Sequence, residues 1–399
     1  MGRQVIEVFL ALSSIFSLTR AVCTSLPQNL TLQANTRLAN PFAFYDGRNV
    51  TNRAEWECRR TEISELFQRL ELGIVPAAPD FVAGQLSSNH DSITIAVGDL
   101  NKTISFSVSI RYPNSSSSSP WPAIIALGGT NIPIPNDFAL ITYMPTEIAA
   151  LGQRGRGKFY DLYGPTYPAG WLAAVSWGAI RLIDALETLG TESRINLARL
   201  GVTGCSENGK GAFLVGALDT RVALTIPQET GGGGTPCWRL SNALYDSGGA
   251  TEPGAEATAP NVSRNASWFS PTFDQYTNRV DDLPFDHHFL PALVAPRGLL
   301  VLDNSGVERL GPESAYGCVV AGRKVYDALA ALSRIGFIQV GGHSHCAFPP
   351  SVKADLDVFI DFFLRGGLNS PIQVFRTDGR TDRFIESQWV DWQSPGILR

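Results

Sequence analysis

From Ile93 to Tyr112 polar and apolar positions alternate, with Ile104, Phe106, Val108 and Ile110 on one face. A period of two belongs to strands with one side buried, so the stretch predicts antiparallel strands near a sheet edge. Upstream, Ile63, Leu66, Leu70 and Leu72 recur at helical spacing and predict an amphipathic helix over Glu62–Leu72. Downstream the pattern changes to short unbroken apolar runs, at Pro122–Leu127, Leu200–Thr203, Val222–Ile226, Gly298–Leu302 and Ile335–Val340. Runs of this kind are strands covered on both faces, as in a parallel sheet. Helical patterns occupy Ala169–Leu189, Lys210–Ala217, Arg323–Leu332 and Val352–Leu364, and Ile335–Val340 reads as the last strand. Alternating strands and helices predict an α/β fold, a doubly wound, mostly parallel sheet with helices on both faces. Residues 246–267, rich in Gly, Ala, Pro and Ser, predict a long surface loop.

At 399 residues and 44% hydrophobic content, the chain can bury a large core. Val8–Leu18 is an apolar run too short to span a bilayer, and Ala21 follows it at a position suited to cleavage. Residues 1–21 are therefore read as a signal peptide, and residues 22–399 as a single catalytic domain. Six N-x-S/T sequons, at Asn29, Asn49, Asn101, Asn114, Asn261 and Asn265, and an even count of six cysteines agree with export to an oxidising, extracellular compartment. A net charge of −5 without a basic stripe argues against a nucleic-acid partner. No later apolar run is long enough to cross a membrane, so a soluble monomer without a membrane partner is expected.

The chemistry gathers at residues 199–217. Leu200–Thr203 is a strand, Gly204 and Gly209 bracket a tight turn, and a helix follows, with Ser206 at the turn. This is the local shape of a nucleophile elbow, which lifts a serine hydroxyl above the sheet and points the next backbone N–H, that of Glu207, at a developing oxyanion. The match to G-x-S-x-G is imperfect, because position 208 is Asn and the glycine arrives one residue later. Gly128-Gly129-Thr130 directly follows a buried strand, and Gly129 is the candidate for the second oxyanion N–H.

A serine nucleophile needs a histidine base, and of five histidines only His343 and His345 follow the last predicted strand. His287 and His288 are read as structural. Glu229 and Asp303 each end a predicted strand where an orienting acid could stand, and spacing does not choose between them. Cys205 precedes Ser206 and Cys346 follows His345. If the serine and histidine meet, these cysteines come within the ~4.4–6.8 Å Cα separation of a disulfide. Spacing leaves the pairing of Cys23, Cys58, Cys237 and Cys318 open.

The chain resembles the fungal glucuronoyl esterases of carbohydrate esterase family 15 over nearly its whole length after residue 21. The resemblance rests on Trp56–Arg60, Ile124–Pro135, Arg156–Gly164, Gly201–Phe213, Pro227–Glu229, Cys237–Arg239, Leu283–His288, Leu310–Pro312, His343–Pro349 and Ser387–Trp392. It implies an α/β-hydrolase fold and a secreted serine esterase without metal or cofactor. The implied substrate is the ester joining 4-O-methyl-D-glucuronic acid of glucuronoxylan to lignin alcohols. It also implies Ser206 as nucleophile, Glu229 as acid, His345 as base, Lys210 as a sugar contact, and the disulfides Cys23–Cys58, Cys205–Cys346 and Cys237–Cys318.

Three positions depart from the family pattern. Glu207 stands where the family has an arginine that stabilises the oxyanion, Arg309 replaces a glucuronate-contacting tryptophan, and Asn265 stands about where a sugar-contacting glutamate belongs. Loss of one oxyanion donor costs about 3–4 kcal/mol. A carboxylate at roughly 6 Å adds on the order of 3 kcal/mol at an effective dielectric near 20. If Arg309 pairs with Glu207, positive charge returns and an altered ester is the expected substrate. Otherwise the triad remains but family activity is weak or absent, or Glu207 points into solvent and Arg309 only decorates a rim. The competing functions are an esterase for a different carboxylate ester and a weakly active carbohydrate-binding relative.

Overall fold

The unbroken apolar runs become the centre of one sheet. The computed structural model describes residues 23–114, 119–246, 258–259, 267–371 and 373–396. Strands β1 (Phe81–Leu86), β2 (Ser92–Asp99) and β3 (Lys102–Arg111) form an antiparallel ribbon at one side. The others are β4 (Trp121–Leu127), β5 (Ala139–Tyr143), β6 (Ile195–Cys205), β7 (Val222–Gln228), β8 (Gly298–Asp303), β9 (Ile335–Gln339) and β10 (Phe375–Thr377). The sheet order is β1-β2-β3-β5-β4-β6-β7-β8-β9-β10. All pairings from β5 to β10 are parallel, and β3 joins β5 antiparallel.

Because successive side chains of a strand point to opposite faces, each apolar run feeds two cores. Ala123, Ile125, Leu127, Leu299, Val301 and Phe337 pack under the helices Trp171–Leu189, Glu207–Leu218, Phe289–Val294 and Pro312–Ala328. Ile124, Leu300, Leu302 and Ile338 face Leu356, Phe359, Ile360 and Leu364 of the segment Lys353–Arg365 on the other side. Helix Trp171–Leu189 is buried nearly all round, as a helix apolar on every face must be. The predicted doubly wound arrangement with helices on both faces is the one observed.

Several boundaries differ from the sequence reading. Ile335–Val340 is not the last strand: β10 adds in parallel to β9, but three residues carry no readable period. β1 and β5 also lie outside the predicted runs, being short and half-buried or bounded by prolines. The helix expected at Arg323–Leu332 begins at Pro312, where proline suits the first turn, and its first half, PESAYGC, has weak helix formers. The helix expected from Glu62 begins at Arg53, with the Asn52 side chain accepting from the Glu55 N–H as its cap, and ends in a π-turn at Gln68–Leu72.

All six cysteines are paired, as Cys23–Cys58, Cys205–Cys346 and Cys237–Cys318, with Cα separations of 5.1, 5.8 and 5.3 Å. Among the described residues no helix is long and apolar enough to cross a membrane. The expected signal peptide, the sequons at Asn261 and Asn265, and most of the 246–267 loop lie outside the described residues. Asn29, Asn49, Asn101 and Asn114 are exposed.

Candidate active site

Five segments converge at the carboxyl ends of the parallel strands, the end at which open α/β sheets bind ligands. They are Gly128-Gly129 after β4, Ser206 after β6, Glu229 after β7, Asp303-Asn304 at the end of β8, and His343–Cys346 beyond β9. Ser206 sits at φ 60° and ψ −128°, a strained conformation held by its N–H bond to Gln228 O at 3.0 Å and followed at once by helix Glu207–Leu218. The displaced glycine of the elbow has a reason in this packing. A Cβ at Gly209 would lie 2.6 Å from Gln228 O, so the glycine is needed where the helix passes the end of β7. Position 208 instead carries a side chain, and the Asn208 amide fills the space that a Cβ at Gly128 would need.

The two acid candidates separate cleanly. His345 Nδ1 lies 2.9 Å from Glu229 Oε2, and the same oxygen accepts the Cys346 N–H at 3.0 Å. Gln228 Nε2 and Asn304 Nδ2 complete the shell, at 3.3 and 3.4 Å. Burial alone would raise the Glu229 pKa, but the hydrogen bonds from His345 and the Cys346 N–H outweigh it and hold the carboxyl below its ordinary value. Asp303 points elsewhere: its Oδ2 accepts from Gln339 Nε2 at 2.7 Å. Burial pushes Asp303 up to about 7, and nearby Glu229 adds to the effect.

The two histidines separate as well. The His345 side chain is 25% exposed, against 1% for Glu229, so the ring reaches from a buried carboxylate to the surface. His343 directs Nε2 to Val340 O at 3.0 Å, and its Nδ1 stands 3.8 Å from Glu229 Oε1. Cys205 and Cys346 are bonded as expected, one residue from Ser206 and one from His345. Their sulfurs and His345 are close enough to suggest a metal site, but sulfurs joined in a disulfide cannot act as thiolate ligands.

The remaining predicted residues fall as follows. The Gly128 N–H is taken by Tyr143 O at 2.8 Å, whereas Gly129, at φ 101°, has open space where a Cβ would stand. Lys210, one helical turn after Ser206, is fully buried with Nζ 3.9 Å from the centre of the Trp268 ring. Glu207 is half-buried at the first position of its helix, and Arg309 lies on the turn Glu308–Leu310. Asn265 lies outside the described residues. Sequence reasoning did not find Asn304, Gln228 or Trp268; only the position of Gln228 and Asn304 beside the two acid candidates could have flagged them. A cleft lined by Ser305, Glu308, Glu313, Arg380 and Arg383 follows β8, but Ser206, Glu229 and His345 do not line it.

Sheet order, elbow and the chain order serine, acid, histidine define an α/β-hydrolase scaffold. The family model for fungal glucuronyl esterases matches residues 95–330. The 4-O-methyl-glucuronoyl methylesterase of Hypocrea jecorina is 44% identical over 380 residues, covering 94% of this chain and 80% of that relative. The glucuronoyl esterase catalytic domain from Hypocrea jecorina superposes with a TM-score of 0.87 at 43% identity, over 93% of this chain and all of that one. A serine-to-alanine mutant of the Sporotrichum thermophile glucuronoyl esterase, in complex with methyl 4-O-methyl-β-D-glucopyranuronate, gives 0.88 at 44% identity, over 94% of this chain and 100% of that one. The chain belongs to the glucuronoyl esterase family.

Proposed function

We propose that this chain is a secreted serine carboxylic ester hydrolase, working as a monomer on the ester between 4-O-methyl-D-glucuronic acid of glucuronoxylan and lignin alcohols. In this reading the Ser206 hydroxyl attacks the ester carbonyl and gives its proton to His345 Nε2. Glu229 holds the ring through Nδ1 and stabilises the imidazolium. The oxyanion forms against the backbone N–H groups of Glu207 and Gly129. His345 then protonates the departing alcohol, and water, deprotonated by the same ring, releases the uronic acid. Lys210, Arg309 and Asn265 are the proposed contacts to the sugar. The observation that carries the reading is the 2.9 Å bond between His345 Nδ1 and Glu229 Oε2, with the Cys205–Cys346 bridge tying that base to the elbow. Paired cysteines agree with an oxidising compartment outside the cytosol.

The test is hydrolysis of benzyl and methyl glucuronate esters by the wild-type chain and by Ser206→Ala. Turnover abolished in the variant supports the reading. Turnover retained in Ser206→Ala would exclude Ser206 as nucleophile, and a chain that binds glucuronate but turns over no ester would be a carbohydrate-binding relative. One observation favours a narrower or different ester: Glu207, directly after Ser206, stands where the family pattern has arginine.

A further inference from the structure

His287 is buried far from solvent, and both of its ring nitrogens face acceptors. Nδ1 lies 2.7 Å from Gly234 O, and Nε2 lies 2.9 Å from Glu71 Oε1. A backbone carbonyl can only accept, so Nδ1 carries a proton. The contact to Glu71 needs a second proton, whether it resides on Nε2 or on the carboxyl. The pair therefore holds one proton more than a neutral imidazole beside a carboxylate.

Gly234 ends the glycine loop that begins directly after Glu229. Thr230, the next residue after Glu229, is clasped at the loop's end, its Oγ1 accepting from the Thr235 N–H at 2.7 Å and lying 3.0 Å from Thr235 Oγ1. Glu71 is anchored in turn, with Oε2 accepting from Trp238 Nε1 at 3.2 Å and its carbonyl accepting the Ser270 N–H at 2.8 Å. We propose that His287 is a positioning residue for Glu229, and that the proton shared between His287 and Glu71 locks the glycine loop that sets the carboxylate toward His345. This rests on the reading of Glu229 as the orienting acid.

Loss of that proton leaves one of the two contacts without a hydrogen and Glu71 buried without a cationic partner. The charged and titratable groups around the ring are Glu71, Asp286, which accepts the His287 backbone N–H at 2.8 Å, Arg239, which pairs with Asp286 at 3.2 Å, and His288 next in sequence. His288 is neutral, because burial lowers it to about 4. Burial opposes the charge on His287, but Glu71 and Asp286 raise it above the ordinary 6.5. A raised histidine contributes stability that is complete below the unfolded value and is lost as pH rises through the folded one.

The test has two arms. In wild-type protein labelled with ¹⁵N-histidine, the His287 ring should keep a proton on Nδ1 and lose the shared proton in a single step above the ordinary histidine range. A ring already carrying only one proton near pH 6, with Glu71 ionised, overturns the proposal without any assay of activity. In the second arm, kcat/KM and thermal stability are followed with pH for wild type and His287→Gln, whose amide offers donors at every pH. Wild type should show a one-proton decline on the alkaline side in both readouts, and the variant should lack it while KM changes by less than about threefold. An alkaline decline that survives unchanged in a folded His287→Gln also overturns the proposal. A chain without esterase activity leaves the labelling and stability arms intact, so failure of the assigned activity is distinguishable.

Discussion

Cys205 and Cys346 stand 5.8 Å apart at Cα and are bonded, and each is the chain neighbour of a proposed reacting residue. The bridge crosses 141 residues of sequence, so it both restrains the unfolded chain and fixes the strand end of β6 to the loop beyond β9. Replacing both cysteines by serine should cost about 2–5 kcal/mol of stability. It should also lower kcat at temperatures where the variant is fully folded. The matching replacement of Cys23 and Cys58, whose bridge lies at the N-terminal helix, should cost stability with kcat unchanged. Denaturant unfolding beside steady-state kinetics decides this, and equal effects of the two replacements on kcat would remove the bracing role.

Glu229 and Asp303 were equivalent in spacing and are opposite in environment. Glu229→Gln replaces the carboxylate by a neutral amide whose NH2 can donate to His345 Nδ1 and so permits the wrong tautomer, a change that costs about 10⁴-fold in kcat in an analogous triad. Asp303→Asn keeps an acceptor for Gln339 and should cost less than about tenfold. Turnover of a glucuronate ester by the two variants tests the assignment, and a larger loss in Asp303→Asn would reverse it.

The same pair gives a stability prediction with a definite sign. Asp303 rises from 3.8 unfolded to about 7 folded, so the folded state resists its ionisation. Between those values the unfolded chain loses a proton that the folded chain keeps, and folding is progressively penalised as pH rises. Asp303→Asn should therefore gain stability over wild type from about pH 4 to about pH 7 and level off above. Glu229 is lowered, so its contribution is present above its ordinary 4.5 and is lost as pH falls through the folded value. Unfolding free energies of wild type and Asp303→Asn across this range check the sign, and a flat difference would show that Asp303 titrates normally.

The sheet centre was legible because strands covered on both faces are written as unbroken apolar runs, and Ser206 was legible because an elbow needs small neighbours at fixed offsets. What escaped has physical causes. β10 is three residues long, and an element that short has no period to read. Spacing did not choose Glu229 over Asp303, which only the family resemblance favoured, because the choice depends on which carboxylate meets Nδ1 across 116 residues of sequence, a tertiary fact to which local pattern is blind. His287 carried no signal beyond its type, since its proton count is set by a carbonyl and a carboxylate from two distant segments.

Glu207 poses a trade between chemistry and stability at one position. It is the first residue of helix Glu207–Leu218, where a carboxylate favours the positive end of the helix dipole by about 0.3–1 kcal/mol. The family pattern has arginine there, which is unfavourable for the helix but places positive charge beside the oxyanion. Glu207→Arg should raise kcat/KM on a benzyl glucuronate ester by roughly a hundredfold, corresponding to about 3 kcal/mol of transition-state stabilisation. It should also lower the unfolding free energy by about 1 kcal/mol. Glu207→Gln separates the two contributions, since it lifts the repulsion without adding a donor and should fall between wild type and the arginine variant. Kinetics of the three proteins, with melting temperatures alongside, decide the matter. A stability loss without any kinetic gain would mean that the side chain at 207 acts on the helix alone and that the oxyanion is held by backbone N–H groups.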